Sequence, residues 1–309
     1  MSEFADGAGR VALAGHDGLR LSCLRAGPVG GEPVVLLHGF PEGAAHGWRR
    51  QLPALAAAGL RVWAPDQRGY GDSERPPRVR DYVIDRLAGD ALAVLDAAAR
   101  EAGRPRVHVV GHDWGGAVAW WVALAHSERL ASLAILNCPH PLVLRRALLR
   151  NPRQMARSWY MLLFQLPWLP EALFGARRGA LLAKGLRDSG RKGAAGRPAT
   201  FAPEELERYR ELWSRPGALR PMIHWYRALR RAPRSPPGSP DGRVRVPTRL
   251  IWGTHDRALG RELAAPSAAR CEDAEVIFCE EATHWVQHEE AERVNGLLVA
   301  WVRAHANGC

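Results

Sequence analysis

Short apolar runs alternate with amphipathic stretches along most of the chain. Apolar or β-branched runs bounded by turn residues predict buried strands, and apolar residues three or four positions apart predict helices. Six runs predict strands in this way, at residues 33–38, 61–65, 107–110, 131–136, 248–253 and 274–279. Residues 11–25 alternate around the turn signal His16-Asp17-Gly18 and predict an opening hairpin. The alternation of strands and helices predicts an α/β fold, with a mostly parallel eight-stranded sheet and helices on both faces.

The pattern changes between residues 139 and 245, where no strand signal occurs. Helix-like segments follow one another there, near residues 141–149, 157–165, 172–186, 203–213 and 221–230. We therefore predict a helical lid (cap) domain at residues 139–245, inserted between two parts of the core at residues 1–138 and 246–309. Residues 230–247 are rich in Arg and Pro and are predicted to form a turn-rich hinge back to the sheet.

Length, N-terminus and cysteines limit the class of protein. A chain of 309 residues can bury the core of one α/β domain that carries an insertion. The first residues lack the basic and apolar segments of an export signal, and no apolar run approaches the length of a membrane span. Five scattered cysteines without a C-x-x-C pair are typical of free thiols in a reducing compartment. We therefore expect a cytoplasmic monomer or homodimer, with no stable membrane anchor and with no metal or cofactor.

The net charge of +11 is concentrated in the predicted lid. Residues 139–245 contain 22 Lys and Arg against 7 Asp and Glu, whereas the rest of the chain contains 21 against 25. The codon bias of a GC-rich genome is one explanation of this arginine excess. Attraction to an anionic substrate, a membrane surface or nucleic acid is the functional alternative. No nucleic-acid-binding motif accompanies the charge, so nucleic acid is not an expected partner.

The clearest chemical signal is the turn GHDWGG at residues 111–116, which joins a predicted strand to an Ala-rich helix. Its G-x-D-x-G pattern matches the nucleophile elbow G-x-S-x-G, with Asp113 at the position of the serine. The glycines fit a sharp turn in which the strand and helix backbones approach closely. A carboxylate is already ionised and can displace a leaving group at an sp³ carbon, which gives an alkyl ester. A base is then needed only to hydrolyse that ester.

Two further side chains follow predicted strands in the order of a catalytic triad. Asp256 lies in the loop after residues 248–253, and His284 lies in the loop after residues 274–279. Parallel strands bring their carboxyl ends to one edge of a sheet, so Asp113, Asp256 and His284 are predicted to converge as nucleophile, acid and base. The competing acid position, after the preceding strand, holds Asn137, which has no charge to stabilise an imidazolium. Asp256 is therefore the predicted acid.

With these residues in place, the chain resembles an epoxide hydrolase of the α/β-hydrolase family over nearly its whole length. The strings similar to family motifs are HGFPE (38–42), DQRGYGDSERP (66–76), GHDWGG (111–116), WYMLLFQLPWLPE (159–171), HWYR (224–227), GTHD (253–256) and THWVQ (283–287). The resemblance implies that Tyr160 and Tyr226 are the lid tyrosine pair. It also implies an oxyanion hole formed by the backbone N–H groups of Phe40 and Trp114. The long hinge and the basic lid surface depart from the family pattern.

The resemblance further implies hydrolysis of an epoxide to a vicinal diol. Asp113 is expected to attack an oxirane carbon while the two tyrosines hold the oxygen, and a water activated by His284 is expected to hydrolyse the resulting hydroxyalkyl ester. The aromatic side chains near the site predict a pocket for a small hydrophobic epoxide. Its predicted lining is Phe40, Trp114, Phe164, Trp168 and Trp225.

Two other functions stay open on the sequence alone. A haloalkane dehalogenase shares the Asp nucleophile and the His base, but it needs a further N–H donor for the halide. Phe40 offers no side-chain donor, so a lid tryptophan would have to supply one. A non-enzymatic relic that binds a ligand without turnover is the third hypothesis, although such a protein has no need of a complete catalytic set.

Overall fold

A single sheet of eight strands forms the centre of the computed structural model, which describes residues 9–193, 198–231, 233, 239 and 241–306. The strands are β1 (Gly9–Ala14), β2 (Arg20–Ala26), β3 (Pro33–Leu37), β4 (Arg61–Asp66), β5 (Val107–His112), β6 (Leu130–Leu136), β7 (Thr248–Gly253) and β8 (Ala274–Cys279). Their order is β1-β2-β4-β3-β5-β6-β7-β8, with β2 antiparallel to both of its neighbours and all other pairs parallel. The predicted opening hairpin and mostly parallel eight-stranded sheet are confirmed.

Helices cover both faces of this sheet. They are α1 (Ala44–Gly47), α2 (Gln51–Ala57), α3 (Ile84–Ala102), α4 (Trp114–Ala125), α5 (Pro141–Arg150), α6 (Pro152–Arg157), α7 (Trp159–Leu163), α8 (Leu169–Ser189), α9 (Pro203–Ser214), α10 (Leu219–Ala228), α11 (Ala264–Ala268), α12 (Val286–Glu289) and α13 (Ala291–Ala304). Strand side chains alternate between the faces. In β3, Val35 and Leu37 join the core lined by α3 and α4, whereas Val34 and Leu36 join the core lined by α2 and α13.

Helices α5 to α10 follow one another between β6 and β7, in the region predicted to be the lid. The helix predicted at residues 157–165 is shorter, because only Trp159–Leu163 is α-helical before the chain reaches Pro167. Helix α8 is interrupted at residues 176–179, where three consecutive residues have positive φ. The predicted hinge at residues 230–247 lies partly outside the described residues, and the lid boundaries stay a prediction.

The described part of the chain contains four of the five cysteines. Cys23, Cys138, Cys271 and Cys279 are buried free thiols. Cys309 lies outside the described residues. Within the same described part, none of the helices has the length and apolar character needed to cross a membrane.

Candidate active site

Asp113 lies in a sharp turn between β5 and α4, and its backbone has a positive φ of 51°. This conformation is unfavourable for a residue other than glycine, so the surrounding packing must hold it. A Cβ at Gly115 would collide with the carbonyl of Leu37, and one at Gly111 would lie 2.6 Å from the Gly115 oxygen. The glycines of the predicted elbow therefore allow β3, β5 and α4 to approach closely behind Asp113.

Asp113, Asp256 and His284 follow β5, β7 and β8, and their parallel alignment in the sheet puts all three at one edge. Nδ1 of His284 lies 2.7 Å from Oδ2 of Asp256. On its other side, Nε2 of His284 lies 3.6 Å from Oδ2 of Asp113. The structure thus brings the three predicted residues together, with the imidazole between the two carboxylates.

Asp256 is held in place by donors on both of its oxygens. Oδ1 accepts hydrogen bonds from the backbone N–H groups of Ala258 and Leu259, at 2.7 and 2.8 Å. Oδ2 also accepts a 2.7 Å hydrogen bond from Nδ2 of Asn137, which therefore orients the acid from the competing position. Burial opposes ionisation of Asp256, but His284 and these donors outweigh it and hold the pKa of the carboxyl below its usual range.

The two oxygens of Asp113 have different surroundings. The backbone N–H of Phe40 donates a 2.8 Å hydrogen bond to Oδ1, and the N–H of Trp114 also donates to the carboxylate. These are the two N–H groups predicted as the oxyanion hole. Oδ2 instead faces His284. Oδ1 is therefore held by the backbone N–H of Phe40, while Oδ2 is oriented toward the imidazole.

The predicted lid tyrosines come from α7 and α10. The ring centroids of Tyr160 and Tyr226 are 5.9 Å apart, and the Tyr226 ring lies 5.0 Å from that of Trp114. Burial raises the pKa of both phenols well above the usual value, and the charge of Asp113 raises it further. Both hydroxyls therefore remain protonated at neutral pH, within the electrostatic range of Asp113.

Aromatic side chains that were predicted to line the pocket pack around these tyrosines. Phe164 is buried, and its ring lies 5.5 Å from that of Phe40 and 4.6 Å from that of Tyr226. Trp225 is also buried, with its ring 5.5 Å from that of Trp114. Four of the five residues predicted to line the pocket thus belong to one aromatic cluster.

Trp168 does not belong to that cluster. Its exposure is 75%, so it lies on the outer surface of the lid. Trp168 immediately precedes α8 and has a φ of 51°, so it lies at the turn that enters this helix. The prediction that Trp168 lines the pocket is therefore wrong.

The electrostatics of the site centre on His284. Burial lowers the pKa of His284, but the carboxylates of Asp256 and Asp113 outweigh burial and raise it to about 9. Burial raises the pKa of Asp113, and the attraction of His284 and the two backbone donors only partly compensates. The resting site at neutral pH therefore holds an imidazolium beside the nucleophile.

His112, the residue before the nucleophile, holds the backbone of the His284 loop. Its Nε2 lies 2.9 Å from the carbonyl oxygen of His284, and its Nδ1 lies 3.2 Å from the amide nitrogen of Gln287. Burial lowers the pKa of His112 to about 3, so the ring is neutral. A neutral ring with its proton on Nε2 donates to the carbonyl and accepts from the amide.

A buried carboxylate behind His284 was missed by sequence reasoning. Oε1 of Glu42 accepts a 2.6 Å hydrogen bond from the hydroxyl of Tyr209 and lies 2.9 Å from Nε2 of His288. Burial opposes ionisation of Glu42, but His288, His112 and Tyr209 outweigh it and lower its pKa to about 2. The charge of Glu42 in turn helps to raise the pKa of His284. The sequence signal that could have identified Glu42 is the position of an acidic residue in the loop after β3, a fully apolar strand.

The groups brought together here are a nucleophilic carboxylate, an imidazole–carboxylate pair, two backbone donors and two phenols. Such a set can attack an electrophilic carbon, protonate a leaving oxygen, activate water and stabilise an oxyanion. Among the residues that the structure describes, no group of three or more His, Cys, Asp or Glu side chains is placed to hold a metal ion.

Known proteins share this architecture. The model of the alpha/beta hydrolase fold family matches residues 32–291. The AB hydrolase superfamily protein YfhM of Bacillus subtilis is 40% identical over 93% of this chain and 96% of its own. Epoxide hydrolase A of Mycobacterium tuberculosis is 35% identical over 96% of this chain and 98% of its own. An epoxide hydrolase crystal structure from Bacillus megaterium, with a bound inhibitor, has a TM-score of 0.81 and 27% identity over 96% of this chain and 100% of that one. This chain is therefore a hydrolase of the α/β-hydrolase family, in which its relatives include proteins named epoxide hydrolases.

Proposed function

We propose that this enzyme is an epoxide hydrolase, which adds water to a small hydrophobic epoxide to form a vicinal diol. The observation that carries the proposal is the arrangement of Asp113, with Oδ1 on the Phe40 N–H and Oδ2 facing His284. Tyr160 and Tyr226 supply two protonated phenols beside this carboxylate. The similarity to epoxide hydrolase A of Mycobacterium tuberculosis supports the same reaction.

In the first step, Oδ2 of Asp113 attacks an oxirane carbon and the carbon–oxygen bond of the ring breaks. Negative charge develops on the departing oxygen, and an alkoxide is a poor leaving group unless it is hydrogen-bonded or protonated. Tyr160 and Tyr226 donate to this oxygen, and one of them transfers its proton. The product is a hydroxyalkyl ester on Asp113, with Oδ1 as the ester carbonyl oxygen.

In the second step, the charge of Asp113 has been lost to the ester, so the pKa of His284 falls and the imidazolium releases its proton to solvent. The neutral His284 then removes a proton from water, and the hydroxide formed attacks Cγ of Asp113. The negative charge of the tetrahedral intermediate falls on Oδ1, to which the backbone N–H of Phe40 already donates. The N–H of Trp114, which also donates to this carboxylate, is the second donor of the proposed oxyanion hole. Asp256 orients the His284 ring and stabilises its positive charge. The ester bond to Oδ2 then breaks, and one water proton reaches the diol oxygen through His284 while the other restores the tyrosine.

We assign the role of a lid over this site to residues 139–245, between core segments 1–138 and 246–309. Both tyrosines belong to this segment, on α7 and α10. Phe164 and Trp225 of the same segment pack with Phe40 and Trp114 of the core. An apolar substrate fits this aromatic lining better than a charged one.

The alternative of a haloalkane dehalogenase is disfavoured by the tryptophans of the lid. A halide leaving group needs N–H donors beside Asp113. Trp213 and Trp225 donate their indole N–H groups to the carbonyls of Pro41 and Arg68, respectively. Trp159 and Trp168 are exposed on the outer surface. The lid thus offers phenols rather than indole N–H groups to the leaving atom.

The proposal is tested by a single turnover of styrene oxide in ¹⁸O-labelled water, with enzyme in excess over substrate. We expect the first diol to carry unlabelled oxygen, and we expect the label in the carboxylate of Asp113, because water attacks Cγ. Asp113→Ala is expected to abolish diol formation. Asp273→Ala, a change of an exposed aspartate outside the site, is the matched control and is expected to retain turnover.

Three other outcomes would contradict the proposal. Label that enters the first diol directly would mean that Asp113 acts as a base toward water. Release of halide from a simple haloalkane at rates equal to epoxide turnover would favour the dehalogenase. Binding of styrene oxide and larger apolar epoxides without any turnover would favour a ligand-binding relic.

A further inference from the structure

The outer surface of the lid is apolar over a continuous segment. Every exposed residue between Met155 and Leu173 is apolar. We call these residues the lid face: Met155, Ala156, Trp159, Leu162, Leu166, Pro167, Trp168, Leu169, Ala172 and Leu173. The exposure of Trp159 is 62%, and that of both Leu162 and Trp168 is 75%. Exposed apolar residues that are contiguous, rather than scattered, are typical of an interaction surface.

The lid face is not a by-product of packing the active site. The same segment sends Tyr160 and Phe164 inward, where they pack with Tyr226. Trp159 and Leu162 are three residues apart on α7, which places them on one side of that helix, with Met155 on α6 before it and Leu166 after it. The segment is therefore apolar on two sides, and its outer side is exposed.

Basic residues flank the lid face on both sides. Residues 139–187 contain nine Arg and Lys and a single acidic residue, Glu171. Glu171 is paired with Arg227, at 2.5 and 2.9 Å, so it does not offset the charge of the surface. Exposed arginines before the lid face include Arg146, Arg150 and Arg153. Arg177 and Arg178 follow it, and Arg178 is paired with Glu207 at 2.7 Å. An exposed apolar surface with a basic border is complementary to an anionic, amphipathic partner.

We propose that the lid face docks reversibly on an anionic lipid bilayer. Exposed tryptophans and leucines enter the interfacial region, in which Trp is favoured, and the flanking arginines lie at the level of the headgroups. Each arginine near such a surface strengthens binding by about fivefold. Tyr160 lies on the same short helix as Trp159 and Leu162. Docking therefore brings the lid to the lipid phase, in which an apolar epoxide dissolves. This benefit rests on the proposed function, whereas the docking does not depend on it.

A second copy of this chain is the competing occupant of the lid face. In a symmetric dimer the same patch meets itself, so the arginine border of one copy would lie against that of the other. Like charges brought together in this way oppose association, whereas a bilayer of anionic lipids attracts them. The charge of the border therefore favours lipid over self-association.

Flotation of the full-length protein with vesicles tests this proposal. Vesicles of phosphatidylcholine mixed with phosphatidylglycerol are compared with vesicles of phosphatidylcholine alone, at low and high salt. We expect binding to the anionic vesicles that weakens with added salt. The triple variant Arg146→Gln, Arg150→Gln, Arg153→Gln is expected to bind roughly 100-fold more weakly. The double variant Trp159→Ser, Trp168→Ser is expected to lose at least about tenfold in partitioning.

Control variants separate docking from damage to the fold. Val29→Ser changes an exposed apolar residue of the core region, and Arg100→Gln changes an exposed arginine on α3. Both are expected to bind like the wild type, and circular dichroism checks that all variants are folded. Equal flotation of wild-type and lid-face variants would overturn the proposal, as would binding that is independent of phosphatidylglycerol. The lid face would instead be assigned to self-association if the protein does not float with vesicles, the wild type is a dimer and the Trp159→Ser, Trp168→Ser variant is a monomer.

Discussion

Nε2 of His284 and Oδ2 of Asp113 are 3.6 Å apart, so the charge of the nucleophile acts directly on the base. This carboxylate helps to raise the pKa of His284 to about 9. Formation of the ester removes the charge of Asp113, and the pKa of His284 must then fall. We therefore expect ester breakdown to accelerate with pH along one titration whose midpoint lies below pH 9, because only the neutral ring accepts a proton from water.

This pH dependence is measured on the ester itself. The ester is formed by rapid mixing with limiting epoxide, the pH is then changed, and diol release is followed. A rate of breakdown that does not change between about pH 6 and pH 9 would contradict the assignment of His284 as the base.

Asp256→Asn is expected to separate the two chemical steps. Loss of the charge at 2.7 Å from Nδ1 leaves His284 poorly oriented and a weaker base, so ester breakdown should slow by about 10³- to 10⁴-fold. Attack by Asp113 does not use His284, so the ester should accumulate and appear as added mass on the intact protein. Asn137→Asp in the same variant restores a carboxylate at the neighbouring position and is expected to recover part of the rate. An equal decrease in the rates of ester formation and ester breakdown would contradict the assignment of Asp256 and His284 to the second step alone.

The lid tyrosines are expected to act in the first step alone. Tyr160→Phe or Tyr226→Phe should each slow ester formation by about 10- to 100-fold, and the double variant by more than about 10³-fold, because each phenol compensates partly for the other. Ester breakdown should change little. Tyr70→Phe is the matched control, since Tyr70 is buried like Tyr226 and its hydroxyl has no hydrogen-bond partner within the described part of the chain. A double variant that forms the ester at the wild-type rate would exclude the tyrosines as acid.

The sheet was predictable because its strands are apolar runs that end at turn residues. The predicted runs at residues 248–253 and 274–279 coincide with β7 and β8. The rule that parallel strands align their carboxyl ends then predicted the convergence of Asp113, Asp256 and His284. Order along the chain was sufficient for these residues, since each lies in the loop or turn that follows a strand.

The position of Trp168 and the environment of Glu42 could not be predicted from the sequence pattern. The position of Trp168 depends on which side of an apolar segment faces inward, and residues 155–173 are apolar on both sides, so hydrophobic patterning carries no information on that choice. The environment of Glu42 depends on Tyr209 and His288, which come from separate helices distant in sequence. No local pattern links these residues, and only the folded chain brings them together.

Glu42→Gln tests the structural role of that buried carboxylate. The pKa of Glu42 is lowered from 4.5 to about 2 by the fold, so its ionisation stabilises the native state above pH 4.5, and this contribution is lost as the pH falls toward 2. Glutamine keeps an oxygen acceptor for Tyr209 but removes the charge beside His288. We therefore expect the free energy of unfolding at pH 7 to fall by about 3 kcal/mol. Urea denaturation should show the difference from wild type shrinking as the pH is lowered through 4.5. Glu128→Gln, at an exposed position, should match the wild type throughout. If the loss in the Glu42 variant is instead the same at pH 7 and pH 4, it reflects altered packing, and the ionised state of Glu42 does not stabilise the fold.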